Sequence, residues 1–60
     1  GSGRLKFFYG TQTRVRPPTF VVFANRPDKI HFSYERFMLN QLREHFELNH
    51  IPIRLKFRKK

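Results

Sequence analysis

Residues 4–13 alternate. Leu5, Phe7, Tyr9, Thr11 and Thr13 fall on one side, and Lys6, Phe8, Gly10 and Gln12 on the other. A period of two over this length predicts a β-strand. Arg14, Val15, Arg16, Pro17 and Pro18 break the alternation. Two prolines cannot donate to a ladder, so this stretch reads as a turn or extended corner. Residues 19–24 are apolar and β-branched or aromatic on both faces, the pattern of a short central strand. Asn25, Arg26, Pro27 and Asp28 then carry turn chemistry.

One helical period follows. Tyr34, Phe37, Met38, Leu42 and Phe46, with Leu39 beside them, recur at three- and four-residue intervals and predict a helix over residues 33–47. Ser33 is the expected N-cap, because its hydroxyl can accept a bond from a free amide of the first turn. Glu35 suits the positive end of the helix dipole, and His45 the negative end. Asn49 is the expected left-handed residue after the helix, with Pro52 beyond it as a stop. Glu35, Glu44 and Glu47 are expected to pair with nearby arginines along the helix. Ile53, Leu55 and Phe57 alternate with Arg54, Lys56 and Arg58 as a last strand, and Lys59 and Lys60 read as a frayed tail. The order is strand, strand, helix, strand, in an α+β fold of two layers. The first two strands should form an antiparallel hairpin. The last strand runs parallel if it joins the second, and periodicity leaves open whether it joins the second or the first. The expected core is Leu5, Phe7, Tyr9, Phe20, Val22, Met38, Leu42, Phe46, Ile53, Leu55 and Phe57.

Sixty residues allow one domain, and a chain this short buries only about 60% of its unfolded surface. Cysteine is absent, which excludes disulfides and thiolate zinc sites and suits a reducing, cytoplasmic setting. The longest apolar run, residues 20–24, falls far short of the roughly 20 residues of a membrane span, and no secretory leader is evident. Residues 1–3, Gly-Ser-Gly, read as a tag remnant ahead of a single domain at residues 4–60. Ten aromatic residues, eight of them Phe, argue for a packed core.

Charge adds the functional direction. Thirteen Lys and Arg against four Asp and Glu give a formal charge of +9. Such an excess attracts polyanions, nucleic acid first and anionic lipid second. His31, His45 and His50 lack metal-ligand spacing and an accompanying carboxylate cluster, so no metal is expected. Ser33 has no evident acid–base partner, and the GxxxxGK[ST] phosphate loop is absent, so no catalysis is expected of these residues.

The run Pro17, Pro18, Thr19, Phe20, Val21, Val22 and Phe23, followed by Asn25 and Pro27, resembles the C-terminal KH-like domain of the Der (EngA) family of bacterial tandem GTPases. So do His31, Phe32, Ser33, Tyr34, Glu35, Arg36 and Phe37. The likeness extends through Asn40, Gln41, Leu42, Arg43, Glu44 and Phe46 to Pro52, Ile53, Arg54 and the basic tail, and back to Tyr9, Thr11 and Gln12 in the first strand. It covers the chain after residue 3. The resemblance implies a non-catalytic RNA- or ribosome-contacting module of a GTPase that acts in maturation of the large ribosomal subunit. Its partners would be rRNA and the parent's own GTPase domains, and GTP and Mg would belong to those domains. It also implies a further helix before the first strand, which this chain begins too late to contain. A partner for Phe8 and a margin of stability would be lost with it. Where the family often places Gly after the long helix and before the Pro-Ile pair, this sequence has Glu47 and His50. The GxxG loop of ordinary KH domains has no counterpart, since the only glycines are Gly1, Gly3 and Gly10 and residues 27–32 contain none.

The candidate RNA contacts are four groups of cations: Arg54, Lys56 and Arg58 on one face of the last strand; Arg4 and Lys6 on the outward face of the first; Arg14 and Arg16 at the turn; Arg26 and Lys29 in the loop before the helix. The competing reading is a solvated sheet face, or one that meets another helix. Phe8 could stack on a base, but packing is the more usual use of an aromatic ring. A second function is docking on the parent's GTPase domains to relay nucleotide state, with the basic surface incidental.

Overall fold

A computed structural model describes residues 4–60, so the reading of residues 1–3 lies outside the described residues. Strand β1 spans Phe7–Val15 and strand β2 spans Pro18–Ala24, joined by a two-residue turn at Arg16 and Pro17. A 3-10 turn at Pro27–Lys29 leads into helix α1, Phe32–Phe46, and β3 follows at Arg54–Lys59. This is the expected α+β order. The sheet order is β1-β2-β3. β1 pairs antiparallel with β2, and β3 joins β2 in parallel, which settles the pairing that periodicity left open. β2 is central because it is apolar on both faces, and it holds the buried residues Pro18, Thr19, Phe20, Val21 and Ala24.

The hairpin register contains two irregularities. Phe7 pairs with Ala24 but Tyr9 pairs with Phe23, and Gln12 pairs with Phe20 but Arg14 pairs with Thr19. Each step spends two residues of β1 against one of β2, so Phe8 and Thr13 are β-bulges. A single inserted residue exchanges the faces of everything after it until the next one. Gly10 and Gln12 therefore join Phe20 and Val22 on the helix side, while Tyr9 and Thr11 move to the far side. The expected placement of Tyr9 in the core is thus corrected: it is half exposed, outside the core.

On the helix side, Gln12, Phe20 and Leu55 form one row and Gly10, Val22 and Phe57 the next. Met38, Leu42 and Phe46 of α1 face these rows across a cavity of about 270 Å³, which confirms the helical phase read from the sequence. Phe46 stacks on Phe20 at 5.6 Å between ring centroids, and Tyr34 on Phe7 at 5.5 Å. The cover is incomplete. Phe7, Tyr34, Phe37 and Phe46 stay between 38% and 53% exposed. The accessible surface is 4891 Å², against about 4,200 Å² for a compact chain of this size. One helix is too narrow to cover a three-stranded sheet, so of the expected core only Phe20 is buried and the other ten residues stay partly exposed.

The ends of α1 differ from expectation. The cap is His31, one position before Phe32, and its Nδ1 accepts the amide of Ser33 at 3.2 Å. The Ser33 hydroxyl lies 2.9 Å from the same nitrogen and supports the cap instead of forming it. At the other end Glu47, rather than Asn49, takes the left-handed conformation (φ 54°, ψ 45°). The Leu48 amide reaches the Arg43 carbonyl at 2.9 Å and that of Glu47 reaches the Glu44 carbonyl at 3.4 Å, closing the last turn. Arg43 secures the loop beyond by donating to the carbonyls of Leu48 (3.1 Å) and Ile51 (2.6 Å). Among the described residues the ion pair is Arg26 with Asp28, so the expected helix-surface pairs of Glu35, Glu44 and Glu47 do not form.

Substitutions at two positions check these ends. A side chain in the left-handed region costs about 1–2 kcal/mol, partly offset by the greater chain entropy of glycine. Glu47→Gly should therefore raise stability by about 0.5–1 kcal/mol, seen as a higher Tm in a thermal melt. Glu47→Ala, which keeps the strain, should gain less. His31→Ala should cost about 0.5–2 kcal/mol, and His31→Asn, which can still accept the Ser33 amide, should restore most of it.

Candidate nucleic-acid interface

The face of the sheet away from α1 is built in three rows. Paired residues in a sheet point to the same side, so the register sets Arg14, Thr19 and Arg54 side by side. Thr11, Val21 and Lys56 come next, then Tyr9, Phe23 and Arg58. No described element packs over these rows. Arg54, Lys56 and Arg58 stand on this face as their alternation predicts. Arg14 joins them because β1 runs on to Val15 and the bulge at Thr13 undoes the inversion begun at Phe8, returning Arg14 to the outward side beside Thr19. Four cations thus line a face whose middle is small and flat, with Thr11, Thr19 and Val21 between them.

The third row is aromatic. The Tyr9 and Phe23 rings lie 4.8 Å apart. The Lys60 Nζ sits 5.3 Å from the Tyr9 ring centroid and 5.5 Å from that of Phe8, so both rings share this end of the face. Lys60 is no frayed tail, because its amide continues the ladder onto the Ala24 carbonyl at 3.2 Å. Tyr9, Phe23 and Lys60 were missed as site residues. The bulge that carries Tyr9 and Phe8 to one face leaves no mark in a hydropathy pattern. The signal for Lys60 was its continuation of the Arg54, Lys56, Arg58 alternation.

The other candidate cations lie elsewhere. Arg4 and Lys6 precede β1, and Asn25 holds their backbone. The Asn25 side-chain amide donates to the Arg4 carbonyl at 2.7 Å, and its oxygen accepts the Lys6 amide at 2.6 Å. Arg16 occupies the turn, exposed, at the Arg14 end. Lys29 is exposed in the 3-10 turn, which packs against β3. Arg26 is tied to Asp28 through Nε at 3.4 Å and Nη2 at 3.3 Å. That hydrogen bond is the main reason the Asp28 carboxyl is held below its ordinary range, with the charges of Arg26 and Lys29 adding to it. The segment between β2 and α1 is this glycine-free turn, so a backbone clamp of the GxxG kind is not formed there. Among the described residues no three His, Cys, Asp or Glu side chains gather to hold a metal, and no helix is long and apolar enough to cross a membrane.

The Arg26–Asp28 pair gives a pH prediction. A carboxyl whose folded pKa is depressed stabilises the fold above its unfolded pKa, and loses that contribution as pH falls through the folded value. In a carbon-13 NMR titration Asp28 should therefore protonate below the ordinary carboxylate range, and Arg26→Gln should move it back up. The pair is exposed, so the variant should melt close to wild type.

Comparison with known proteins supplies the last observation. Residues 1–58 match the family model described as the KH-domain-like, C-terminal region of EngA bacterial GTPase enzymes. The chain is 63% identical over 57 residues to a protein named GTPase Der from Desulforapulum autotrophicum, covering 95% of this chain and 12% of that protein. It is 66% identical over 55 residues to GTPase Der of Syntrophobacter fumaroxidans (92% and 12%). With GTPase Der of Lacticaseibacillus casei it shares 56% over 57 residues (95% and 13%). The chain thus spans about one eighth of the length of these relatives.

Proposed function

The chain belongs to the family of C-terminal KH-domain-like regions of EngA bacterial GTPases, and from that premise we propose that it is the RNA-contacting module that seats such a GTPase on the large ribosomal subunit in the cytoplasm. The observation that carries the proposal is the open sheet face with Arg14, Arg54, Lys56 and Arg58 in register across it. Phosphate recognition needs several long cations converging on one surface, with polar neighbours to fix position, and the exposed Thr11 stands among these four. Arg16 extends the positive field at one end, and Arg4, Lys6 and Lys29 at the other. Arg26 contributes through the field alone, since Asp28 engages its guanidinium. The role is binding without catalysis. The nucleotide chemistry, with GTP and Mg, belongs to the rest of a longer parent, because these residues contain no phosphate loop.

A second reading rests on the opposite face. Phe7, Tyr34, Phe37 and Phe46 leave an apolar flank on α1 beside the 270 Å³ cavity, a surface suited to docking on the GTPase domains of the parent. The two readings use different faces and can hold together. Salt separates them, because phosphate contacts weaken steeply with ionic strength while an apolar contact changes little.

Replacing Arg54, Lys56 and Arg58 together with Gln tests the first reading. Each lost phosphate contact should flatten the slope of log affinity against log salt by about 0.7 for single strands or about 0.9 for duplex. Affinity for large-subunit rRNA should fall across all sequences tested. Stability should change by no more than about 0.5 kcal/mol per site, because these side chains face away from the core. Equal affinity and equal slope for variant and wild type would reduce the stripe to a solubilising surface.

A further inference from the structure

We infer that the open face takes single-stranded RNA, with one base stacked on the Tyr9 and Phe8 rings and the adjoining phosphates running along β3. This deepens the RNA-binding reading and rests on it. Three features of the face select a single strand over a duplex.

The first is the exposed aromatic end. Phe8 and Tyr9 are 48% and 50% exposed, and Phe23 supports the Tyr9 ring from the central strand. The rings are half exposed, and the group over them is the flexible Lys60 ammonium, which a base would displace to stack, since every base has a matching π-face. Bases inside a duplex are already stacked on one another and cannot reach it.

The second is the spacing of charge. Alternate residues of a strand lie about 6.6 Å apart, close to the separation of successive phosphates along an extended nucleotide chain. Arg54, Lys56 and Arg58 repeat at that interval. Arg58 shares the row of Tyr9 and Phe23, so a base on Tyr9 brings its own phosphate to Arg58 and the neighbouring ones to Lys56 and Arg54. Lys60, moved off these rings by the base, is long enough to meet the phosphate on the other side of it.

The third is relief. Val21 and Thr19 of the central strand are buried beneath the face, with Thr11 beside them, so the middle rows stay low. A thin single strand can lie across them and still contact both the rings and the cations. The occupant is polyanionic because the rings sit among cations in a chain of formal charge +9. The glycine-free segment before α1 leaves the sheet, and not a GxxG clamp, to hold the strand.

The test compares a short oligouridylate with a duplex RNA of equal length, bound to the full chain and to Phe8→Leu/Tyr9→Leu. The leucines should lower single-strand affinity on the order of ten- to a hundredfold and leave duplex affinity unchanged. Tyr9→Phe keeps the ring and should bind as wild type. Ring protons of Phe8 and Tyr9 in the wild-type chain should move upfield on saturation with oligouridylate, a readout that stands even if the double variant melts early. Unmoved ring resonances, or unchanged single-strand affinity in a folded double variant, would overturn the stacking model. If the Arg54, Lys56 and Arg58 variant loses RNA in that same case, the RNA-binding reading survives without stacking. If the wild-type chain binds neither RNA, both fall.

Discussion

Strand β1 carries one residue more than its partner can match at Phe8, and the arrangement of both sheet faces depends on that bulge. Uninterrupted alternation from Phe7 would turn Tyr9 toward α1 and Gly10 away from it. The extra residue reverses them. Gly10 then lies beneath the helix beside Val22, where a Cβ would stand 3.5 Å from the Val22 Cγ2, and the space around it forms part of the cavity bounded by Met38, Leu42 and Phe46. Tyr9 moves outward to meet Phe23, and the second bulge, at Thr13, ends the inversion in time to set Arg14 beside Thr19. The same device that thins the core assembles the open face. Bulges re-aim side chains without breaking a sheet, which is why they recur at functional edges.

Because the core is thin, α1 depends on its ends. Nδ1 of His31 closes the first turn, Glu47 accepts a left-handed backbone to close the last, and Arg43 anchors the following loop through two carbonyls. Asn25 does the corresponding task for the segment before β1. The Arg43 contacts hold the loop that leads into β3.

The positive charge accordingly divides. Arg43 and Arg26 have structural partners, the first on carbonyl oxygens and the second on Asp28. Arg14, Arg54, Lys56 and Arg58 have none among the described residues and stand in register on one face. A formal charge of +9 describes the attraction to polyanions, and these four gather part of it on one face of the sheet. The half-exposed flank of α1 lies on the other side of the sheet, so the row of cations and the helix flank occupy opposite faces.

The amino-acid sequence by itself determined the strand, strand, helix, strand order, the phase of α1 and the outward stripe of Arg54, Lys56 and Arg58. Each is a local matter, since a period of two or of 3.6 is written in a few consecutive residues. Its motifs also determined the family. Tertiary structure decided the rest. Pairing of β3 with β2 depends on which edge the returning chain reaches. His31 displaced Ser33 as the cap because the first turn begins at Phe32, two residues before the Tyr34 that a Ser33 cap would start, and Glu47 displaced Asn49 because the final hydrogen bonds close at Leu48. The faces of Tyr9, Gly10, Thr11 and Gln12 were decided by β2, against which β1 is two residues too long. A bulge is a mismatch between two strands, and neither strand contains it alone.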